Sequence, residues 1–250
     1  MNQKSAIRFG TKSAPPLVLA TLLLAASGIS AAAVPGGSLD PTTIPQFVEP
    51  LVIPPVMPSQ GVRFDLSSGK FVPYYEIETV QIKQQVLPTG LPKTTVWGYG
   101  AVGRPDTRSY PAWTIESRKD LPTRVKWVNS LKDANGHFLP HLLPIDQTLH
   151  WANPPKDCLE AGMLMPGVTT NGTDCRGLSQ DPYTGPVPII THLHGAHVQP
   201  HSDGYPEAWY LPDANNIPRG FGRQGSLYDQ IPGAPDVEGA ALFQYSNDQR

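Results

Sequence analysis

Twenty-nine prolines and 23 glycines are spread along 250 residues, and that density limits what the chain can build. Proline fixes φ and lacks a backbone N–H, so a long α-helix cannot persist across such spacing. Both residue types suit tight turns, which leaves short strands joined by turns as the regular structure. Residues 74–86 predict a long strand, with Val80 and Ile82 alternating against Thr79, Gln81 and Lys83. A second strand is expected at 114–116. A third is expected at 123–128, with Val125 and Trp127 inward and Arg124 and Lys126 toward water. Trp97 and Tyr99 are expected to cap one end of the core, since aromatic rings dominate buried contact. Strands this short and half-buried stack as a β-sandwich.

Around that body the chain carries other segments. Residues 1–33 read as a signal peptide: Lys4, Arg8 and Lys12 precede an apolar run from Leu17 to Ala26, and Ala31-Ala32-Ala33 offers a cleavage site. The apolar run is too short to span a bilayer, so the mature chain is expected to be secreted or periplasmic, with no membrane association after cleavage. Lys and Arg number 19 against 21 Asp and Glu, a balance that excludes an electrostatic nucleic-acid partner. Residues 34–73 form a Pro-rich N-terminal arm, with Phe47, Leu51 and Ile53 expected as its anchors on the surface. Residues 74–250 form the sandwich domain, interrupted by a loop insertion at 153–187 that lacks sustained periodicity. Cys158 and Cys175 are the only cysteines. In an exported chain they are expected to form one disulfide closing that loop, worth about 3 kcal/mol in the chain-entropy account. Metal ligation is the rival, although no Cys-x-x-Cys spacing supports it.

The seven histidines, His137, His141, His150, His192, His194, His197 and His201, fall in one part of the chain. Ile189 and Ile190 favour a strand, and if that strand runs on through His194, its period of two points His192 and His194 to one face. Adjacent neutral imidazoles suit copper or zinc, and each can serve a separate ion of a cluster. Taken alone, a His-x-His tripeptide is more often a pair of partly exposed strand residues with no ligand. His197 and His201 lie in the turn after Gly195, where solvated side chains are the default. His137 follows the Asn135-Gly136 turn signal and is expected to be exposed.

The longer string changes that weighing. His192-Leu193-His194-Gly195 is followed eight residues on by Asp203-Gly204-Tyr205-Pro206-Glu207-Ala208-Trp209. It resembles the first copper-binding segment of the multicopper oxidases, in particular the bacterial branch of spore-coat laccases and bilirubin oxidases. Phe47-Val48-Glu49-Pro50-Leu51-Val52-Ile53-Pro54-Pro55, Thr95-Val96-Trp97-Gly98-Tyr99, Pro111-Ala112-Trp113-Thr114-Ile115-Glu116 and His141-Leu142-Leu143-Pro144-Ile145-Asp146 are similar to that branch in the same order. The resemblance runs from about Ile44 to Arg250. It implies an all-β, cupredoxin-like Greek-key sandwich. It implies His192 as a ligand of the type 2 copper and His194 as a ligand of one type 3 copper, in the trinuclear cluster that reduces O2 to water. A phenolic or related small-molecule donor would supply the electrons. Asp203 matches an acidic residue beside that cluster, where it could orient water or help deliver protons; an Asx-turn residue is the alternative. His141 and His150 match positions that are not ligands, and Glu207 and Trp209 match structural ones.

The sequence also departs from the family's pattern. A second His-x-His pair, a His-x-x-His-x-His segment and a His-Cys-His element are all missing. The expectation is an N-terminal part of a multicopper oxidase, truncated before the second His-x-His segment, with its sandwich incomplete at the C-terminal end. The remaining copper ligands would be absent, and the fragment alone would be inactive and prone to aggregate. A secreted copper-binding β-module without turnover is the alternative from another class. A zinc hydrolase is disfavoured, because zinc catalysis wants three protein ligands and no third His has an obvious claim.

Overall fold

Among the described residues, five strands carry the fold of the computed structural model: β1 (Val62–Asp65), β2 (Lys70–Gln84), β3 (Thr94–Ala101), β4 (Thr123–Asn129) and β5 (Ala240–Tyr245). The structure describes residues 37, 39–145, 183–228, 231 and 237–249. The chain divides into Met1–Ala33 and Val34–Arg250, and every described residue belongs to the second unit. The expected signal peptide, Cys158, Cys175, His150 and most of the insertion at 153–187 lie outside the described residues. Among the described residues there is no α-helix, and no helix is long and apolar enough to cross a membrane. Four 3-10 turns occur among the described residues, at Pro41–Thr43, Pro105–Thr107, Pro200–Ser202 and Pro206–Ala208. Each opens on a proline, where the missing N–H would have had no helical partner.

The sheet is built on β2. Its start pairs antiparallel with β1, from Val62↔Pro73 to Asp65↔Lys70. Its remainder pairs antiparallel with β3, from Ile77↔Ala101 to Gln84↔Thr94. On its other side β2 runs parallel to β4 over Tyr74↔Arg124 to Thr79↔Asn129, and β4 pairs antiparallel with β5. A parallel pair needs a crossover rather than a hairpin. Here β3 and the segment after it make that crossover, so the topology is not a simple meander. The all-β class is as expected, and a curled sheet of this kind fits the cupredoxin-like fold.

β4 shows how the sequence builds the core. Thr123, Val125, Trp127 and Asn129 are buried and alternate with half-buried Arg124, Lys126 and Val128. Val125 and Trp127 join Met57, Tyr75, Ile77, Tyr210 and Phe243 in one cluster. Arg124 does not simply face water: its guanidinium lies 2.7 Å from the carboxylate of fully buried Asp65. Trp127 Nε1 donates to the Tyr245 hydroxyl at 2.9 Å, which satisfies the one polar atom of its ring. Tyr99, expected at an end of the core, packs on Trp127 with ring centroids 5.2 Å apart. Trp97 is half-buried and donates to Gln81 at 3.2 Å.

Three sequence expectations are corrected. The long strand begins at Lys70 rather than 74, because the preceding segment forms a hairpin whose turn ends at Gly69 with φ +65. The strand expected at 114–116 is a single parallel bridge, Val56↔Thr114. The Pro54-Pro55 pair has no N–H to extend a ladder there. The arm's expected anchors, Phe47, Leu51 and Ile53, are exposed at 101%, 93% and 83%; Met57, at 1%, is the apolar residue that seats the arm. Backbone pairing starts only where Thr114 N–H donates to Pro55 O and Met57 N–H donates to Thr114 O, each at 2.8 Å.

Candidate metal site

Ile189 makes one isolated antiparallel bridge to Tyr210, outside the five-stranded sheet, with reciprocal N–H···O bonds of 3.0 and 3.1 Å. The strand expected to continue through His194 does not form. In that register Ala208 and Pro206 would face Thr191 and Leu193, and both belong to a 3-10 turn. Pro206 also has no N–H to give. The chain therefore leaves the ladder after Ile189, buries Thr191, and turns at His194-Gly195, with Gly195 at φ +72.

The two imidazoles are nevertheless adjacent. Their ring centroids lie 6.4 Å apart at an interplanar angle of 55°, and both side chains are exposed. Nδ1 of His192 lies 2.5 Å from the backbone oxygen of Asp203. A carbonyl oxygen only accepts, so Nδ1 carries the proton and the lone pair sits on Nε2. An imidazole held in this way by its other nitrogen is the arrangement that orients a metal ligand.

Asp203 reaches His192 because the loop between them folds back. A 3-10 turn, Pro200–Ser202, ends at Asp203, whose N–H donates to Pro200 O at 3.3 Å. Gly204 follows at φ +77, and a Cβ there would stand 2.2 Å from Thr191 O. Only glycine allows that approach. The carboxylate is less engaged: Asp203 Oδ1 is 3.6 Å from His192 Nδ1, beyond a hydrogen bond. Asp203 was singled out from the sequence for its side chain, whereas its main chain makes the contact. The alternative reading, a turn at Asp203-Gly204, points to the backbone instead.

The other histidines take separate places. His141 packs between Trp97 and Tyr183, with centroids at 5.7 and 5.9 Å. Burial lowers its pKa to about 4, which makes it a neutral packing residue. His201 is half-buried rather than solvated; burial lowers its pKa, and its Nδ1 lies 2.7 Å from Ser202 Oγ. His197 is exposed and pairs with Asp248 at 3.0 Å, and His137 is exposed beside Asp133. Trp209 and Glu207 fit structural roles: Trp209 is buried at 1%, and Glu207 O accepts from Leu227 N–H at 3.0 Å. Among the described residues, no group of three or more His, Cys, Asp or Glu could hold a metal ion. The donors present fit copper in kind, as a two-imidazole part of a ligand set.

No protein-family model matches the chain. The laccase of Haloferax volcanii is 32% identical over 180 residues, which is 71% of this chain and 24% of that protein. The laccase of Bacillus subtilis is 29% identical over 203 residues, covering 81% and 29% respectively. The multicopper oxidase LPR1 homolog 3 of Oryza sativa subsp. japonica is 31% identical over 152 residues, 60% of this chain and 20% of that protein. Fold and likeness together make the chain an all-β homologue of the laccase-type multicopper oxidases, and copper is the cofactor this relationship implies. It spans less than a third of the length of each of these relatives.

Proposed function

We propose that this chain supplies His192 as a type 2 copper ligand and His194 as a type 3 ligand of a multicopper oxidase that oxidises phenolic or related one-electron donors. The observation that carries the reading is the adjacent imidazole pair with the tautomer of His192 set by the Asp203 carbonyl. Copper, when bound, supplies redox chemistry able to pass four electrons to O2 and yield water. The chain's own contribution is to hold two imidazoles at the turn that follows Ile189, to keep Nε2 of His192 free for metal, and to place the Asp203 carboxylate nearby. That carboxylate is the group proposed to orient water or to relay protons. In the same reading the chain is exported, Cys158 pairs with Cys175, and the remaining copper ligands come from outside this chain.

Two imidazoles do not make an oxidase, so the isolated chain is proposed to bind copper without turnover. The absence of a third ligand among the described residues equally favours the second reading, a copper-binding β-module with no oxidase role. Titration of the purified chain with Cu(II), followed by electron paramagnetic resonance, tests the site. Imidazole coordination lost in His192→Ala and in His194→Ala is expected. Copper binding indifferent to both substitutions overturns the reading. Sustained oxygen uptake with a dimethoxyphenol would overturn the proposed inactivity of the chain alone. Zinc in place of copper gives the control.

A further inference from the structure

We infer that Asp248, with Ser246 and Gln249, is a positioning residue for the His192–His194 pair, fastening through His197 and Gly195 the turn into which the pair runs; this rests on the copper reading above. The chain leaves β5 at Tyr245 and continues as Ser246–Gln249 alongside the turn. Three side chains of that tetrapeptide meet it. Gln249 Nε2 donates to Gly195 O at 3.1 Å. The Ser246 hydroxyl lies 2.6 Å from His197 O and 2.8 Å from Asp248 Oδ1, and gives its one proton to one of them. His197 Nδ1 lies 3.0 and 3.1 Å from the two carboxylate oxygens of Asp248. Gly195 follows His194 directly, so these contacts act on the backbone that aims the second imidazole.

The tetrapeptide is itself held from the other side. Asn247 sits at φ 55, a conformation asparagine tolerates better than most residues. Its Nδ2 donates to Leu121 O at 2.7 Å and to Thr123 Oγ1 at 3.0 Å, and its carbonyl accepts from Asp120 N–H at 2.9 Å. The segment thus bridges the start of β4 to the metal turn. The far end of the same loop is tied to β5 as well, since Gln244 N–H donates to Ser202 Oγ at 2.9 Å. Ser202 adjoins Asp203, whose carbonyl holds His192. One strand and its extension therefore fix both branches of the loop that orients the two rings.

Magnitudes separate this role from simple stabilisation. His197 is 80% exposed and Asp248 40%, and exposed ion pairs add little to global stability. Their effect is local: several contacts on a short turn restrict where the His194 ring can stand, and outer partners of metal ligands govern affinity more than folding.

The test uses the purified 250-residue chain in two arms. Without metal, amide hydrogen exchange across residues 194–198 is expected to quicken several-fold in Asp248→Ala, in His197→Ala and in Ser246→Ala, with the melting temperature unchanged. With Cu(II), affinity is expected to fall about tenfold in Asp248→Ala, with altered hyperfine coupling, and to be largely restored in Asp248→Glu. Unaltered exchange in these variants overturns the inference, whatever copper does. Unaltered copper affinity and spectrum in Asp248→Ala overturns it too, provided His192→Ala abolishes binding. If His192→Ala and His194→Ala leave copper binding intact, the copper reading is what fails, and the positioning role stands or falls on the exchange data.

Discussion

Nδ1 of His192 and the backbone carbonyl of Asp203, 11 positions apart in sequence, are hydrogen-bonded. The bond leaves Nε2 of His192 as the free donor atom, and it does so through the main chain. Replacing the Asp203 side chain should therefore leave the imidazole oriented. Asp203→Asn is expected to change Cu(II) affinity by no more than about twofold, as for a half-exposed substitution that keeps its backbone. Isothermal titration of both proteins measures this. A tenfold loss would move the orienting role to the carboxylate.

Gly204 makes the opposite case. A Cβ at this position meets Thr191 O at 2.2 Å, and φ is +77. Gly204→Ala is expected to cost about 1–3 kcal/mol in strain alone. It is also expected to weaken Cu(II) binding by loosening the Asp203–His192 bond. Chemical denaturation gives the first quantity and copper titration the second.

His141 predicts a pH dependence. Burial takes its pKa to about 4, below the 6.5 of an unperturbed imidazole. Between those values the unfolded chain binds a proton that the folded chain refuses, so stability falls as pH drops through that window and is level above it. In His141→Phe that component of the slope between pH 6.5 and 4 should disappear. Urea midpoints collected across that range check it.

Asp65 predicts a second pH dependence at lower values. Burial works to raise its carboxyl, but hydrogen bonds from Ser68 and Ser67 outweigh it and hold the pKa at about 2, against 3.8 unperturbed. The stabilisation is fully present above the unfolded value and is lost as pH falls through the folded one. The stability difference between the natural chain and Asp65→Asn should therefore shrink from pH 4 to pH 2. Arg124, 2.7 Å away, would be left facing a neutral partner.

The sequence reading was strongest where period and burial coincide. β4 was legible because Val125 and Trp127 alternate with charged residues. β1 was not, because its apolar residues Val62 and Phe64 face outward, so it carries no inward stripe. β5 was missed as well: Ala-Ala-Leu-Phe-Gln-Tyr has little alternation, and its identity as a strand comes from pairing with β4. At the site, the adjacency of His192 and His194 was foreseen, but from a strand that does not form. The turn at Gly195 and the close approach of Gly204 bring it about instead. The link from His197 to Asp248 spans 51 positions, and no local pattern announces so distant a partner.

Strand β2 pairs at its start with β1 and farther along with β3 and β4, so a single backbone is common to the amino-terminal hairpin and to the sheet beneath the metal turn. That shared strand couples the two parts. Heat or denaturant should dismantle them as one cooperative block, and the slowest-exchanging amides of the molecule should lie along β2 itself.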